Sequence, residues 1–280
     1  MYKIMAKKEL AQKIKLVEIH APAIARKAQA GQFVILRVDE KGERIPLTLV
    51  DWDKQKGTIT LIFLEVGAST EKLGMLEVGN AIPDVCGPLG NPSEVKKYGL
   101  VCVIGGGVGT ASALPIIKAM KQAGNKVVAI VGAKTAGLLI LEEEIGKVAD
   151  ELHISTDDGT KGQKGFVSDV LKMLIDKGYA FDTVYAIGPT VMMRAVANTT
   201  KPYNIRTIVS LNPIMVDGMG MCGACRVSVG GNTRFACVEG PEFDAHQVDF
   251  GELMKRQMAF LSEEKLALQR LQERRCECHE

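Results

Sequence analysis

The feature that most constrains this chain is a change of pattern at residue 105. Leu100-Val-Cys-Val-Ile104 is an apolar run of the kind a fully buried strand needs. Gly105-Gly-Gly-Val-Gly-Thr-Ala-Ser112 follows at once, and a helical pattern then runs through Lys121. Strand, glycine loop and helix in that order let a backbone approach a diphosphate at a helix N-terminus. The match to G-x-G-x-x-G is imperfect, because Thr110 stands where the third glycine from Gly105 belongs. Pro115 is read as early in the helix, where it costs less than in the interior.

The surrounding pattern repeats the theme. Strands are expected at Lys126–Val131, Glu151–Ser155 and Thr183–Ile187, with helices at Glu142–Ala149, Gly165–Lys177 and Thr190–Ala197. Such alternation predicts a parallel sheet with helices on both faces, and ligands beyond the strands' carboxyl ends. Gly132-Ala-Lys134, Thr156-Asp-Asp-Gly159 and Gly188-Pro189 lie there. Asp157 or Asp158 is placed to accept from a ribose hydroxyl and to repel a 2′-phosphate, which favours NAD(H) over NADP(H). Lys134 argues weakly the other way, and Asp-Asp-Gly is also good turn chemistry.

Before this unit, short β-type runs alternate with turns. Strands are expected at Tyr2–Lys7, Ile14–His20, Phe33–Val38, Pro46–Trp52, Thr58–Leu64 and Ala81–Val85, with turns at Asp39–Gly42 and Asp53–Gly57. Only Ser69–Leu76 has a helical pattern. This spacing favours a closed antiparallel barrel or sandwich. Two patches stand out, Arg44-Ile-Pro-Leu-Thr48 and Val66-Gly-Ala-Ser-Thr70. Free N–H groups and hydroxyls at a helix start suit a pyrophosphate, as does a bidentate arginine. Taken singly, an ordinary N-cap and a surface arginine are the simpler readings.

The third signal is Asp217-Gly-Met-Gly-Met-Cys222-Gly-Ala-Cys225, with Cys237 further on. Plant-type [2Fe–2S] loops read C-x4-C-x2-C and then a distant cysteine. The frame holds here, with Asp217 in the first position. Gly218, Gly220 and Gly223 permit the positive φ angles that turn backbone N–H groups toward a cluster's sulfides. A Cys3Asp zinc site and inert buried cysteines are the competing readings. As a carboxylate is a harder donor than a thiolate, Asp217 as fourth ligand would tune the cluster.

Composition narrows the field further. The formal net charge is +2, which gives no pull toward nucleic acid or membrane, and no apolar run reaches the roughly 20 residues of a membrane helix. The N-terminal stretch lacks a signal peptide's apolar core. Seven cysteines, an odd and clustered set, do not make a disulfide framework, so a cytoplasmic setting is expected. Gly240–Asp244 reads as a loop and Phe250–Arg275 as helix. Cys276, Cys278 and His279 read as a solvated terminus rather than a metal site. His20, His153 and His246 are isolated.

Together the patches resemble the ferredoxin–NADP reductase superfamily, and within it the electron-transfer subunits of dihydroorotate dehydrogenase. The shared landmarks are Arg44-x-Pro-Leu-Thr48, Gly67-x-Ser-Thr70, Cys86-Gly-Pro-Leu-Gly-Asn91, Gly105–Gly109, Thr156–Gly159, Gly188-Pro189 and the cysteine loop. Two departures from the dihydroorotate branch stand out: Asp217 for the first cluster cysteine, and Ile187 where a cysteine is common. The wording Val216–Arg226 is similar instead to the small subunits of NADH-dependent reduced ferredoxin:NADP+ oxidoreductases and sulfide dehydrogenases.

This resemblance implies an FAD-binding β-barrel over 1–97, an NAD-binding α/β domain over 98–212, a [2Fe–2S] subdomain over 213–247 and a C-terminal helix and tail over 248–280. FAD would fall to Arg44, Pro46, Leu47, Thr48, Leu64, Glu65, Val66, Gly67, Ser69 and Thr70. NAD(H) would fall to Gly105, Gly106, Gly107, Val108, Gly109, Thr110, Asp157, Asp158, Gly188 and Pro189, and the iron to Asp217, Cys222, Cys225 and Cys237. It further implies an oxidoreductase subunit that passes electrons between NAD(H), FAD and the cluster. The partner would be a larger flavin/iron–sulfur subunit, reaching ferredoxin and NADP(H) in electron bifurcation. No catalytic acid or base is required for hydride transfer, and none is read. The alternatives are a dihydroorotate dehydrogenase electron-transfer subunit and, from another class, a zinc-binding nucleotide sensor.

Overall fold

The structure is a computed structural model that describes residues 1–277, with side chains to Glu273. Cys276, Cys278 and His279 therefore lie outside the described side chains.

The first ninety residues form one antiparallel sheet. Its elements are β1 (Tyr2–Ala11), β2 (Ile14–His20), α1 (Pro22–Lys27), β3 (Phe33–Arg37), β4 (Arg44–Asp53), β5 (Thr58–Leu64), α2 (Ala68–Met75), β6 (Ala81–Ile82) and β7 (Asp84–Leu89). The strand order is β6-β1-β2-β5-β4-β3-β7. The two outermost strands are consecutive in the chain, so the sheet curls into a near-closed barrel. Alternate residues fill it: Val17, Ile19, Leu36, Leu49, Leu61 and Phe63 point inward, with Ile24 of α1 and Leu73 of α2 packed against them. The expectation of a single helix here is corrected, since α1 is a second. At six residues it is too short to show a periodicity, but Pro22 opens it and Ile24 and Ala25 are buried.

The rest builds a second sheet from β8 (Leu100–Gly106), α3 (Gly109–Gln122), β9 (Lys126–Ala133), α4 (Glu142–Gly146), β10 (Glu151–Thr156), β11 (Gln163–Lys164), α5 (Val167–Asp176), β12 (Thr183–Ile187), α6 (Thr190–Thr200) and β13 (Arg206–Ser210). The order is β11-β10-β9-β8-β12-β13, all parallel. The chain leaves β8 toward β9 and β10, then returns to the other side of β8 with β12. That reversal makes a crevice between the carboxyl ends of β8 and β12, where open α/β sheets bind ligands.

Beyond β13 come the hairpin β14 (Arg226–Val229) and β15 (Asn232–Phe235), α7 (Ala236–Glu239), β16 (Glu242–Asp244), α8 (Phe250–Gln257) and α9 (Leu261–Glu277). Two expectations change here. The segment read as a loop over Gly240–Asp244 contains β16, which pairs antiparallel with β13 and closes that edge. The helix read over Phe250–Arg275 is two helices, broken at Met258–Phe260. Pro115, expected early in its helix, lies in the middle of α3, because the helix begins already at Gly109 rather than after Ser112.

Among the described residues, three apolar cores hold these parts together. The barrel interior is one. Another packs α3 between the parallel sheet and the barrel's outer face, through Val50, Ile62 and Ile14; Lys118 Nζ reinforces this contact by donating to Asp51 Oδ2 at 2.8 Å. The last joins Phe33 and Ile35, on the outer face of β3, to Cys225, Val227 and Cys237. The iron–sulfur-type loop is thus seated directly on the barrel.

Candidate functional site

Along β4 the side chains alternate. Leu47 packs with Leu49 against the barrel core, while Arg44, Pro46 and Thr48 share the opposite parity with Val50, which faces the parallel sheet's core. Arg44 is exposed and has no partner among the described residues. Its guanidinium is free for a phosphate.

The turn into α2 supplies the second part of this patch. Leu64 ends β5 and Val66 is 67 % exposed. The Thr70 hydroxyl is spent on its own turn: Oγ1 accepts from Val66 N and Gly67 N at 3.0 and 3.1 Å and donates to Gly67 O. Ser69 Oγ donates to Glu43 Oε2 at 3.1 Å. What remains for an anion is the first-turn backbone N–H groups. Glu65 does not face that site. Its Oε1 lies 2.8 Å from Lys15 Nζ, and Gly74 leaves room for it, since a Cβ there would fall 1.6 Å from the same oxygen. Glu65 therefore holds the turn against the barrel.

The glycine loop sits at the crevice. Gly107 has φ +55° and no atom within 4 Å of where its Cβ would be, so the backbone is open to a ligand. Gly107 N donates to Gly132 O at 2.8 Å, which fixes the loop to β9. Gly109 is the close-packing glycine: a Cβ on it would lie 2.5 Å from Ile187 O and 2.7 Å from Gly188 Cα. Thr110 packs against Gly105 instead, its Cα 2.6 Å from that residue's notional Cβ. Gly106, Val108, Gly109, Gly188 and Pro189 are thereby gathered where β8 meets β12. Past the carboxyl end of β10, two strands from β8, Asp157 and Asp158 are exposed. Asp158 Oδ1 accepts from Thr160 Oγ1 and N, which holds its carboxyl below the usual aspartate range. The Asp157 carboxylate has no partner among the described residues and is the freer of the two.

The cysteine loop forms the third part. Cys225 and Cys237 are buried with their sulfurs 3.2 Å apart, Cys222 is exposed, and Gly218, Gly220 and Gly223 all have positive φ. Gly218 is pressed on the barrel, where a Cβ would lie 2.6 Å from Leu89 Cδ1. Asp217 caps the loop: Oδ1 accepts from Met219 N at 3.0 Å, and Oδ2 from Met221 N and Cys222 N at 3.0 and 2.7 Å. These bonds, that from Met219 foremost, hold its carboxyl below the usual range. Burial, and then the bond with Cys225, push the Cys237 thiol up to about 12, so binding a metal has to drive its deprotonation. No three of these side chains converge on one metal position among the described residues. Two thiols buried together, a third cysteine and a carboxylate on one glycine-turned loop are nonetheless a donor set that suits iron.

Barrel, parallel sheet and cysteine loop in mutual contact define a class: reductases that move electrons between a pyridine nucleotide and an iron–sulfur centre. Residues 103–198 match the oxidoreductase NAD-binding domain, and residues 212–249 match the iron–sulfur cluster binding domain of dihydroorotate dehydrogenase B. The chain is 45 % identical to a Thermotoga maritima dihydroorotate dehydrogenase B (NAD(+)) electron transfer subunit homolog, over 94 % of each. It is 46 % identical to an uncharacterized Clostridium beijerinckii protein, over 100 % of this chain and 97 % of that one. Among solved structures, a chain of the NADH-dependent reduced ferredoxin-NADP oxidoreductase superposes with a TM-score of 0.92 and 43 % identity, covering 96 % of this chain and 97 % of that one. Phthalate dioxygenase reductase shares the fold at a TM-score of 0.58 and 16 % identity, covering 81 % and 85 %.

The chain belongs to the family of dihydroorotate dehydrogenase B electron-transfer subunits and their homologues. It is an oxidoreductase subunit, and the expected barrel-plus-α/β fold and the cofactor set of FAD, a [2Fe–2S] cluster and NAD(H) agree with that family. No helix among the described residues is long and apolar enough to cross a membrane.

Proposed function

We propose that this chain is the cytoplasmic small subunit of a heteromeric oxidoreductase. In this reading it relays electrons between NAD(H) and a larger flavin/iron–sulfur subunit, which exchanges them with NADP(H) and ferredoxin by bifurcation. The observation that carries the reading is the seating of the cysteine loop on the barrel's outer face at Phe33, Ile35 and Leu89, beside the strand that bears Arg44, Pro46 and Thr48. Likeness over nearly the whole chain to the solved NADH-dependent reduced ferredoxin-NADP oxidoreductase supports it.

When bound, the flavin supplies the exchange between two-electron nicotinamide chemistry and one-electron cluster chemistry. The chain's own residues bind and orient. Arg44 and the first-turn N–H groups of α2 take the FAD phosphates, while Pro46, Leu47 and Thr48 support the flavin along β4. Leu64, Glu65, Val66 and Gly67 shape the turn. Gly105–Thr110 with Gly188 and Pro189 take the NAD(H) diphosphate, and Asp157, with Asp158 beside it, takes the adenosine ribose. Asp217, Cys222, Cys225 and Cys237 hold the iron. Asp217 Oδ1 accepts one backbone N–H and Oδ2 two, which leaves a lone pair on Oδ1 for the metal. Exposed Val216, Met219 and Met221 lie on the same loop as Cys222, exposed Val238 packs on Gly220 of that loop, and together they give the partner an apolar face to cover.

Cys222→Ser tests this relay. The variant is expected to keep FAD and to lose electron delivery to the larger subunit; delivery at the native rate would refute it. The dihydroorotate dehydrogenase subunit is the second reading, favoured by the 45 % identity to a relative of that name. Co-purification from the native source separates the two, since one partner carries a pyrimidine site and the other carries further flavin and iron–sulfur centres.

A further inference from the structure

The nucleotide crevice and the cysteine loop are joined by one short helix. α8 is anchored by Phe250 and Leu253, both buried in the core that also contains Met193 and Val196 of α6. Its last two residues reach in different directions. Arg256 Nη2 donates to Ala224 O at 3.1 Å, inside the Cys222–Cys225 turn. Gln257 Nε2 donates to Asn212 O and Oδ1 at 2.9 and 3.0 Å, at the root of the same loop. Gln257 Oε1 in turn accepts from Thr190 Oγ1 at 2.8 Å. Thr190 is the first residue of α6, directly after the Gly188-Pro189 turn that packs on Gly109.

The Thr190 hydroxyl carries one proton and faces two carboxamide oxygens, Gln257 Oε1 at 2.8 Å and Asn212 Oδ1 at 3.1 Å. It satisfies one of them at a time. Asn212 is exposed and its Oδ1 also accepts from Gln257 Nε2, so with Thr190 on Gln257 Oε1 all three groups are paired, and with Thr190 on Asn212 Oδ1 the Gln257 Oε1 is left to solvent. The trio therefore has two hydrogen-bonded arrangements, and coupling between sites needs such a two-state element. A nucleotide bound against Gly188 and Pro189 bears on the threonine next to them. The arrangement it favours sets Asn212 and, through α8, the turn gripped by Arg256.

The geometry points to Thr190, Asn212 and Gln257 as positioning residues that couple the nucleotide crevice to the iron–sulfur loop, so that nucleotide binding shifts the cluster's reduction potential. This rests on the cofactor assignments proposed above. By linkage, a shift of the potential by nucleotide equals a difference in nucleotide affinity between the oxidised and reduced cluster. Coupling of about fivefold, the low end of the usual range, corresponds to about 40 mV for one electron.

The test is a redox titration of the full chain, loaded with FAD and cluster, followed by the cluster's EPR signal. It is run with and without ADP-ribose, which carries the diphosphate but no redox-active ring. The native protein is expected to shift by about 40 mV or more. Thr190→Val, which removes only the shared hydroxyl, and Gln257→Leu are expected to abolish the shift at unchanged iron and FAD content. Loss of the shift in at least one of these folded variants supports the coupling. No shift in the native protein, or a native-sized shift in both variants, overturns it. Absence of any cluster signal overturns the cofactor assignment itself, and the coupling with it.

Discussion

Gly109→Ala is the sharpest perturbation of the nucleotide crevice. An alanine Cβ at this position falls 2.5 Å from Ile187 O, 2.7 Å from Gly188 Cα and 2.8 Å from Ile187 C. All three are backbone atoms, so no rotamer change relieves the contact. Ordinary contact begins at 3.4 Å, so α3 and the Ile187-Gly188 turn must part by about 0.9 Å, the difference between 2.5 and 3.4 Å. Overpacking of this kind costs about 1–3 kcal/mol, against at most about 1 kcal/mol gained by replacing a helical glycine. The net loss, up to about 3 kcal/mol, lowers Tm by up to about 12 °C. The functional effect is larger, because the displaced elements are the two walls of the proposed diphosphate site. A misplacement of nearly 1 Å is expected to slow NADH-dependent flavin reduction by about 10²-fold in stopped-flow absorbance. Gly124→Ala serves as the control. That glycine, just past the end of α3, has φ +82° and nothing within 4 Å, so its substitution strains the backbone without moving the crevice. Native NADH affinity and flavin reduction rate in Gly109→Ala would refute the role given to this close approach.

Other expectations follow from the same geometry. Gly74→Ala drives the Glu65 carboxylate from its place beside Lys15 and is expected to weaken FAD retention, read as flavin released on gel filtration; retention at the native level contradicts that role for Glu65. Asp217→Ala strips the acceptor from three backbone N–H groups, which is expected to raise hydrogen exchange across Gly218–Cys222 and lower iron content; unchanged exchange there counts against the capping role. Glu242 of β16, whose Oε1 accepts from Ser93 Oγ at 2.5 Å, is pushed up to about 7 by burial. The folded chain then binds more protons than the unfolded one between about pH 4.5 and 7, so this residue's contribution to stability falls as pH rises through that window. Glu242→Gln is expected to flatten the fall, by at most about 3 kcal/mol, in urea unfolding measured across the window; an unchanged slope contradicts it.

What was legible in the sequence was whatever a local pattern dictates. The Leu100–Ile104 run, the strand alternation in the barrel and the glycine loop each declare their element without help from distant contacts. The Thr183–Ile187 strand is found at the expected residues. Short pieces were not legible. α1 and β16 exist because tertiary neighbours pair with them, not because their few residues show a period. The break at Met258–Phe260 carries no glycine or proline to announce it. At the site, the residue types were readable but their division of labour was not. Thr70 and Glu65 belong to a phosphate-type turn, yet the hydroxyl closes its own cap and the carboxylate faces Lys15. Gly109 rather than Thr110 does the close packing, which depends on how β12 lies against α3. The α8 connection was invisible, because Arg256 and Gln257 look like ordinary polar residues at a helix end.

In the proposed relay, one chain carries nucleotide, flavin and cluster in electronic contact. Anaerobic addition of NADH to the purified chain, followed by visible absorbance and low-temperature EPR, tests it most directly. The expected result is a flavin spectrum with broad cluster bands that bleach on NADH addition, together with the EPR signal of a reduced [2Fe–2S] centre. A colourless, zinc-loaded protein, or a flavin that bleaches while the cluster stays oxidised and silent, would refute the relay.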